Sequence, residues 1–146
     1  MRSLILSAVV LLVTGGLTSC SSQTDQYCDT LREDQPALKR LAAGSGANQL
    51  QRTLDVFQDL RADAPEDLAD EWDTVVFAWQ TLAAGFRRAG VDPGDYRPGQ
   101  PPAGVSKAEA RDIADAAEEL RSPRVLEAGR SIEQHARDVC HVDLGF

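Results

Sequence analysis

The sequence predicts an all-α domain, a bundle of four or five helices, and three observations lead there. Apolar residues recur at spacings of three and four, the period of a helix that buries one face. Val, Ile and Thr do not gather into alternating runs, and aromatic residues make up only 5% of the chain, so little material for strands is present. Proline and glycine fall where they cut the apolar pattern into segments of helical length.

In chain order, the first segment begins near Asp25, which is available as its cap, and sets Cys28, Leu31, Leu38 and Leu41 on one stripe. Pro36 interrupts it. A proline inside a helix costs about 3 kcal/mol, so a kink or a fresh start at Gln35 is expected. Gly44-Ser45-Gly46 then closes the segment. A second helix spans residues 47–62, with Leu50, Leu54, Phe57 and Leu60 on its apolar face. It stops at Asp63-Ala64-Pro65, and Pro65 suits the first turn of the next helix, where Glu66 and Asp67 favour the positive end of the dipole.

That third helix, residues 65–89, is the longest and most apolar, with Leu68, Trp72, Val75, Val76, Trp79, Leu82 and Phe86 in one stripe. It is expected to be the central packing helix, closed by Gly90. Residues 91–105 carry Pro93-Gly94, Pro98-Gly99 and Pro101-Pro102. A loop of about fifteen residues is uncommon in a compact domain and is often functional or disordered. Ser106-Lys107-Ala108-Glu109 has the form of a capping box, so a fourth helix starts at Lys107 and buries Ala110, Ile113, Ala117 and Leu120. Ser122-Pro123 reads as a cap and first-turn proline. A fifth helix follows to about Cys140, with Val125, Leu126, Gly129, Ile132, Ala136, Val139 and Cys140 near one face, although residues 107–140 could also form one kinked helix. In the tail, Val142, Leu144 and Phe146 alternate and suit docking on the bundle.

The first twenty residues are of another kind: Arg2, an apolar run over residues 4–13, then Leu17-Thr18-Ser19-Cys20. The run is about half the roughly twenty residues needed to span a bilayer and fits a secretory signal. The tetrapeptide resembles the lipobox of bacterial lipoprotein precursors, in which the Cys thiol receives a diacylglyceryl group and the peptide is cut just before it. That resemblance makes Cys20 the mature N-terminus and the lipid anchor. It divides the chain into a signal peptide (1–19), a lipidated tether (20–26) and a helical domain (27–146). The location it implies is the extracytoplasmic face of the cell membrane. Each buried CH₂ contributes about 0.8 kcal/mol, so two or three acyl chains give stable attachment. The polar tether, at about 3.5 Å per residue, reaches only about 25 Å and holds the domain near the membrane. The alternatives are an ordinary secretory peptide that leaves Cys20 a free thiol, or an uncut helix that leaves its apolar run exposed.

The formal charge is -8, and loss of residues 1–19 removes Arg2 and no acid, which makes the mature chain about one unit more negative. Nucleic acid is therefore not an expected partner, because binding it needs a basic patch. An electrostatic grip on anionic lipid is not expected either. Arg outnumbers Lys, and Ala, Asp and Gly are plentiful, the usage of a GC-rich bacterial genome.

With Cys20 acylated, Cys28 and Cys140 remain, and one connectivity is possible. Export favours a disulfide between them, joining the first helix to the last. Closing a loop of about a hundred residues restricts the unfolded chain by roughly 4 to 5 kcal/mol in the entropic account. The alternative is two separate buried thiols. His135 and His141 are the only histidines, and a spacing of six sets them on different sides of a helix, so no metal site is expected.

No zinc-protease, nucleophile-elbow or phosphate-loop motif occurs. Glu66, Asp67, Asp70, Glu71 and Asp73 could offer Glu66 and Asp70 to a divalent cation, but read more simply as a solvated face. Glu133, His135, Asp138, His141 and Asp143 are ingredients for acid-base work without a nucleophile fixed beside them. No catalytic residue and no cofactor is assigned. Trp72, Trp79 and Phe86, spaced by sevens, read as core, with Trp79 placed to line a groove if there is one. Trp79, Phe86 and the loop residue Tyr96 are the candidate ligand contacts.

The chain as a whole resembles the small helical lipoproteins of high-GC Gram-positive bacteria. The resemblance is carried by the lipobox, Tyr27-Cys28-Asp29-Thr30-Leu31, Leu60-Arg61-Ala62-Asp63-Ala64-Pro65-Glu66 and Cys140-His141-Val142-Asp143-Leu144-Gly145. His141 departs from it, since glycine often follows the second cysteine in that group. The resemblance implies a location and a helical fold but no reaction. The expected function is a non-catalytic binding or accessory module of the cell envelope, recognising an envelope protein or small ligand through the proline-rich loop and the adjoining end of the third helix. The competing expectation is an enzyme using Glu133, His135 and Asp138.

Overall fold

The computed structural model describes residues 22–43 and 48–144, and the expected lipobox, Gly44-Ser45-Gly46 and Phe146 lie outside them. Among the described residues the fold is all-helical: α1 (Gln23–Ala43), α2 (Gln49–Asp63), α3 (Ala69–Ala89), α4 (Lys107–Glu119) and α5 (Pro123–Asp138). Residues 107–140 are thus two helices. The Cys28–Cys140 disulfide ties α1 to the end of α5, across 112 positions of sequence.

Local chemistry sets most of the helix ends. Ser22 caps α1: its hydroxyl accepts from the Asp25 N–H, and the Asp25 carboxylate accepts from the Ser22 N–H, both at 3.1 Å. Asp25 is therefore the reciprocal partner within the first turn and not the cap itself. Pro36 sits inside α1 without dividing it. The site is exposed, so the carbonyl left without an N–H partner can be hydrated. The start of α2 expected at Ala47 lies outside the described residues. Asn48 precedes the helix in the left-handed conformation, φ 64°. Pro65 does not open α3. It precedes a 3₁₀ turn, Glu66–Leu68, and α3 proper begins at Ala69. Gly90 closes α3 at φ 64°, with Arg87 and Arg88 in the last turn complementing the dipole. The Ser106 and Glu109 box is formed as expected, and Ser122 accepts from the Val125 N–H ahead of Pro123. Held by hydrogen bonds from the Ser106 backbone and hydroxyl, the Glu109 carboxyl lies below its ordinary pKa.

Helix α3 is central, packing against α2, α4 and α5, while α1 packs on α2. It buries Trp72, Val75, Val76, Ala78, Ala83, Gly85 and Phe86, residues on more than one face, because neighbours cover it from several sides. At Gly85 a Cβ would stand 3.3 Å from Ile113 Cγ1, so the missing side chain is what lets α4 approach. The core continues through Leu31, Leu60, Ile132 and the tail residues Val142 and Leu144, the last two docking as their alternation suggests.

Several apolar positions are less covered than the stripes imply. Leu126 is 52% exposed and Val139 46%, because only Val125, Ala128, Ile132 and Ala136 face inward from α5. Leu41, Trp79, Leu82, Ala110, Ala117 and Leu120 are half-buried. The helix stops at Asp138, two residues short of Cys140. Tyr27 joins the core unforeseen: it is fully buried, and its hydroxyl accepts from Trp72 Nε1 at 3.1 Å.

Candidate functional site

The site follows from how the first and last helices meet. At one end they are bound together by the disulfide, by Arg32 Nη2 donating to the Cys140 carbonyl at 3.2 Å, and by Gln35 Nε2 donating to the Asp143 carbonyl at 2.6 Å. Away from that end α1 and α5 are not a closely packed pair, each leaning instead on its own inner partner, α2 or α3. The space between them is a groove of about 440 Å³.

Its walls come from four helices: Leu38, Leu41 and Ala42 of α1, Thr53 and Phe57 of α2, Val75 and Trp79 of α3, and Leu126, Gly129 and Arg130 of α5 among others. Short side chains leave the concavity open. A Cβ at Gly129 would meet nothing within 4 Å. Phe57 stands edge-to-face between Trp72 (5.6 Å between centroids) and Trp79 (5.8 Å), so the aromatic lining is braced by the core.

Polar groups at the groove differ in how they are engaged. Gln49 Nε2 donates to the Leu41 carbonyl at 2.6 Å. Glu133 is paired with Arg137 at 2.7 Å. Arg130 has neither an ion pair nor a side-chain hydrogen bond among the described residues. The Thr53 hydroxyl has no partner there either, and its oxygen stays accessible to solvent.

The candidate residues are dispersed. Trp79 lines the groove. Phe86 lies seven residues further along α3, about 10 Å away at 1.5 Å per residue, and borders a separate depression with Asn48, Gly90 and Pro93. Tyr96 packs on Phe86 at 5.3 Å and its hydroxyl donates to the Ala110 carbonyl at 3.4 Å. Both rings are thus occupied in pinning the loop to α3 and α4. The loop itself is a chain of turns, closed by Asp95 N–H to Asp92, Gln100 N–H to Arg97 and Val105 N–H to Pro102.

The acid-base ingredients diverge. Glu133 faces the groove, whereas His135 and Asp138 border a shallow depression elsewhere on α5. The His135 ring packs against Tyr27 at 5.8 Å, with its Nδ1 buried and unpartnered, and Asp138 accepts from Gln134. In the acidic run, Asp73 takes two hydrogen bonds from Arg61, at 2.6 and 3.1 Å, which hold its carboxyl below its ordinary pKa. No group of three or more His, Cys, Asp or Glu among the described residues is arranged to hold a metal ion.

Sequence reasoning named Trp79 but missed the groove, because Leu41 and Leu126 read as members of covered stripes. No sequence signal marked Arg130. Among the described residues no helix is long and apolar enough to cross a membrane. No protein-family model matches the chain, and no curated protein or solved structure matches it either.

Proposed function

We propose that the protein is a lipid-anchored module of the extracytoplasmic membrane face that binds a ligand in the groove between α1 and α5 and performs no chemistry on it. The observation that carries this reading is the groove itself: concave, lined mainly by apolar and aromatic side chains, with few polar groups, and of a size within the roughly 300 to 1,000 Å³ usual for small-ligand sites. Anchoring at Cys20 rests on the Leu17-Thr18-Ser19-Cys20 pattern. Binding through the proline-rich loop is less well supported, since Phe86 and Tyr96 are engaged with each other. No observation favours the enzyme: His135 and Asp138 share a shallow depression that Glu133 does not line.

The geometry also relates the groove to the anchor. Cys20 lies three residues before α1, and Leu38 follows Gln23 by fifteen residues, about 22 Å along the helix axis. The groove is therefore toward the end of the bundle remote from the tether. A ligand reaches it from outside the bilayer surface.

The test places a photoreactive amino acid at Leu126 in the protein as it stands in its own membrane. Irradiation should give a discrete adduct by mass spectrometry, lost in Gly129→Leu, whose Cβ meets nothing within 4 Å and whose side chain takes up groove space. Cys20→Ala should move the protein out of the lipid-modified membrane fraction. Absence of an adduct, or an adduct indifferent to Gly129→Leu, refutes binding in the groove. Retention of labelled fatty acid by the Cys20 variant refutes the anchor.

A further inference from the structure

Building on the groove as the binding site, we propose that its ligand is a single-chain anionic amphiphile, a fatty acid whose chain lies against Trp79 and Phe57 and whose carboxylate meets Arg130. Volume limits the ligand first. At about 30 Å³ per water-sized group, 440 Å³ holds on the order of fifteen heavy atoms, enough for one acyl chain and too little for a two-chain lipid.

Charge selects the head. The protein carries a net charge of -8, so its overall field repels anions, yet the charge left unengaged at the groove is a cation. Glu133, the acid at the same site, is already neutralised by Arg137. A carboxylate beside Arg130 would gain charge-assisted hydrogen bonds from a planar guanidinium suited to two-point contact. A cationic head would gain nothing there.

Thr53 adds a second polar group to the lining, from α2, and its hydroxyl has no partner among the described residues.

The experiment uses the full chain in its native membrane, irradiated with a diazirine-bearing dodecanoic acid or with the corresponding dodecylamine, followed by peptide-resolved mass spectrometry. The acid should label peptides from residues 38–57 and 125–133. Dodecanoate should compete at least tenfold better than dodecyltrimethylammonium. Arg130→Ala should reduce labelling about fivefold to tenfold, Arg130→Lys should restore part of it, and intact mass should show the disulfide unchanged in both. Equal labelling by acid and amine, or labelling indifferent to Arg130→Ala, overturns the anionic ligand and leaves the groove a binder of apolar chains. If neither probe labels those peptides above the Gly129→Leu background, the groove as a binding site falls as well.

Discussion

Tyr27 condenses the residue scale of this fold. Its ring is fully buried against His135, its oxygen accepts from Trp72, and burial pushes the phenol from 10.0 up to about 12 despite that hydrogen bond, which acts the other way. The unfolded chain ionises this group near pH 10 while the folded chain keeps it neutral to about pH 12. Stability tied to Tyr27 is therefore complete below pH 10 and declines as the pH rises from there to about 12, by roughly 3 kcal/mol at most. Denaturant unfolding of the oxidised protein between pH 9 and 11.5 should show this decline, and Tyr27→Phe should flatten it. The variant should start from lower stability, because Trp72 Nε1 loses its acceptor. An unchanged slope would mean that the phenol ionises freely in the folded state. Tyrosine gave little warning of this role: beside Cys28 it could be read as a boundary residue, and only the approach of α3 turns its hydroxyl into a core hydrogen bond. His141 is the converse case. The resemblance marked its position as one often held by glycine, and its φ of 56° supplies the reason, since the turn after Cys140 demands the left-handed region.

At the scale of elements, the helix boundaries were legible where a side chain or a ring enforces them and obscure where packing does. Ser106 with Glu109, Ser122 with Pro123 and Gly90 each act on backbone groups in their own neighbourhood, so their effect is written locally. At Pro36 the alternative of a fresh helix start fails for the same reason in reverse. Its local penalty is real, but α1 is held along its length by α2 and, near Cys140, by the disulfide, which together outweigh it. Pro36→Ala should accordingly stabilise the protein by about 1 to 3 kcal/mol, by restoring an N–H to the ladder and removing the ring's clash with the Arg32 carbonyl. Chemical denaturation checks this, and a neutral or destabilising result would show that the helix is locally bent to suit the ring. The exposed Leu126 and Val139 mark the limit of periodicity. A stripe tells which residues share a face, but the width of face a neighbour covers depends on where the other helices stand.

On the scale of the whole molecule, the disulfide and the groove are parts of one arrangement. Helices α1 and α5 are fastened at the end that holds Cys28 and Cys140 and are not closely packed beyond it, so the covalent link is the closed end of a wedge and the groove, the proposed ligand site, its mouth. The pairing was legible, because only two cysteines remain once Cys20 is set aside. The wedge was not, because it depends on α1 leaning on α2 while α5 leans on α3. Cutting the link releases a loop of 112 residues and should cost roughly 4 to 5 kcal/mol in the entropic account, a large part of the stability of a domain this size. The base would then be closed by the Tyr27–His135 contact, the docked Val142 and Leu144, and the hydrogen bonds from Arg32 and Gln35 to the tail, the last two made by side chains exposed or half-exposed to water. Cys28→Ala with Cys140→Ala should therefore lower the denaturant midpoint sharply. At temperatures where the variant is still folded, proteolysis should cut first within residues 139–144, which lose their covalent hold. Labelling of the groove should weaken in parallel, since its two outer walls are no longer held at a fixed separation. A variant that loses stability yet keeps undiminished groove labelling would show instead that α2 and α3 alone set the width of the site.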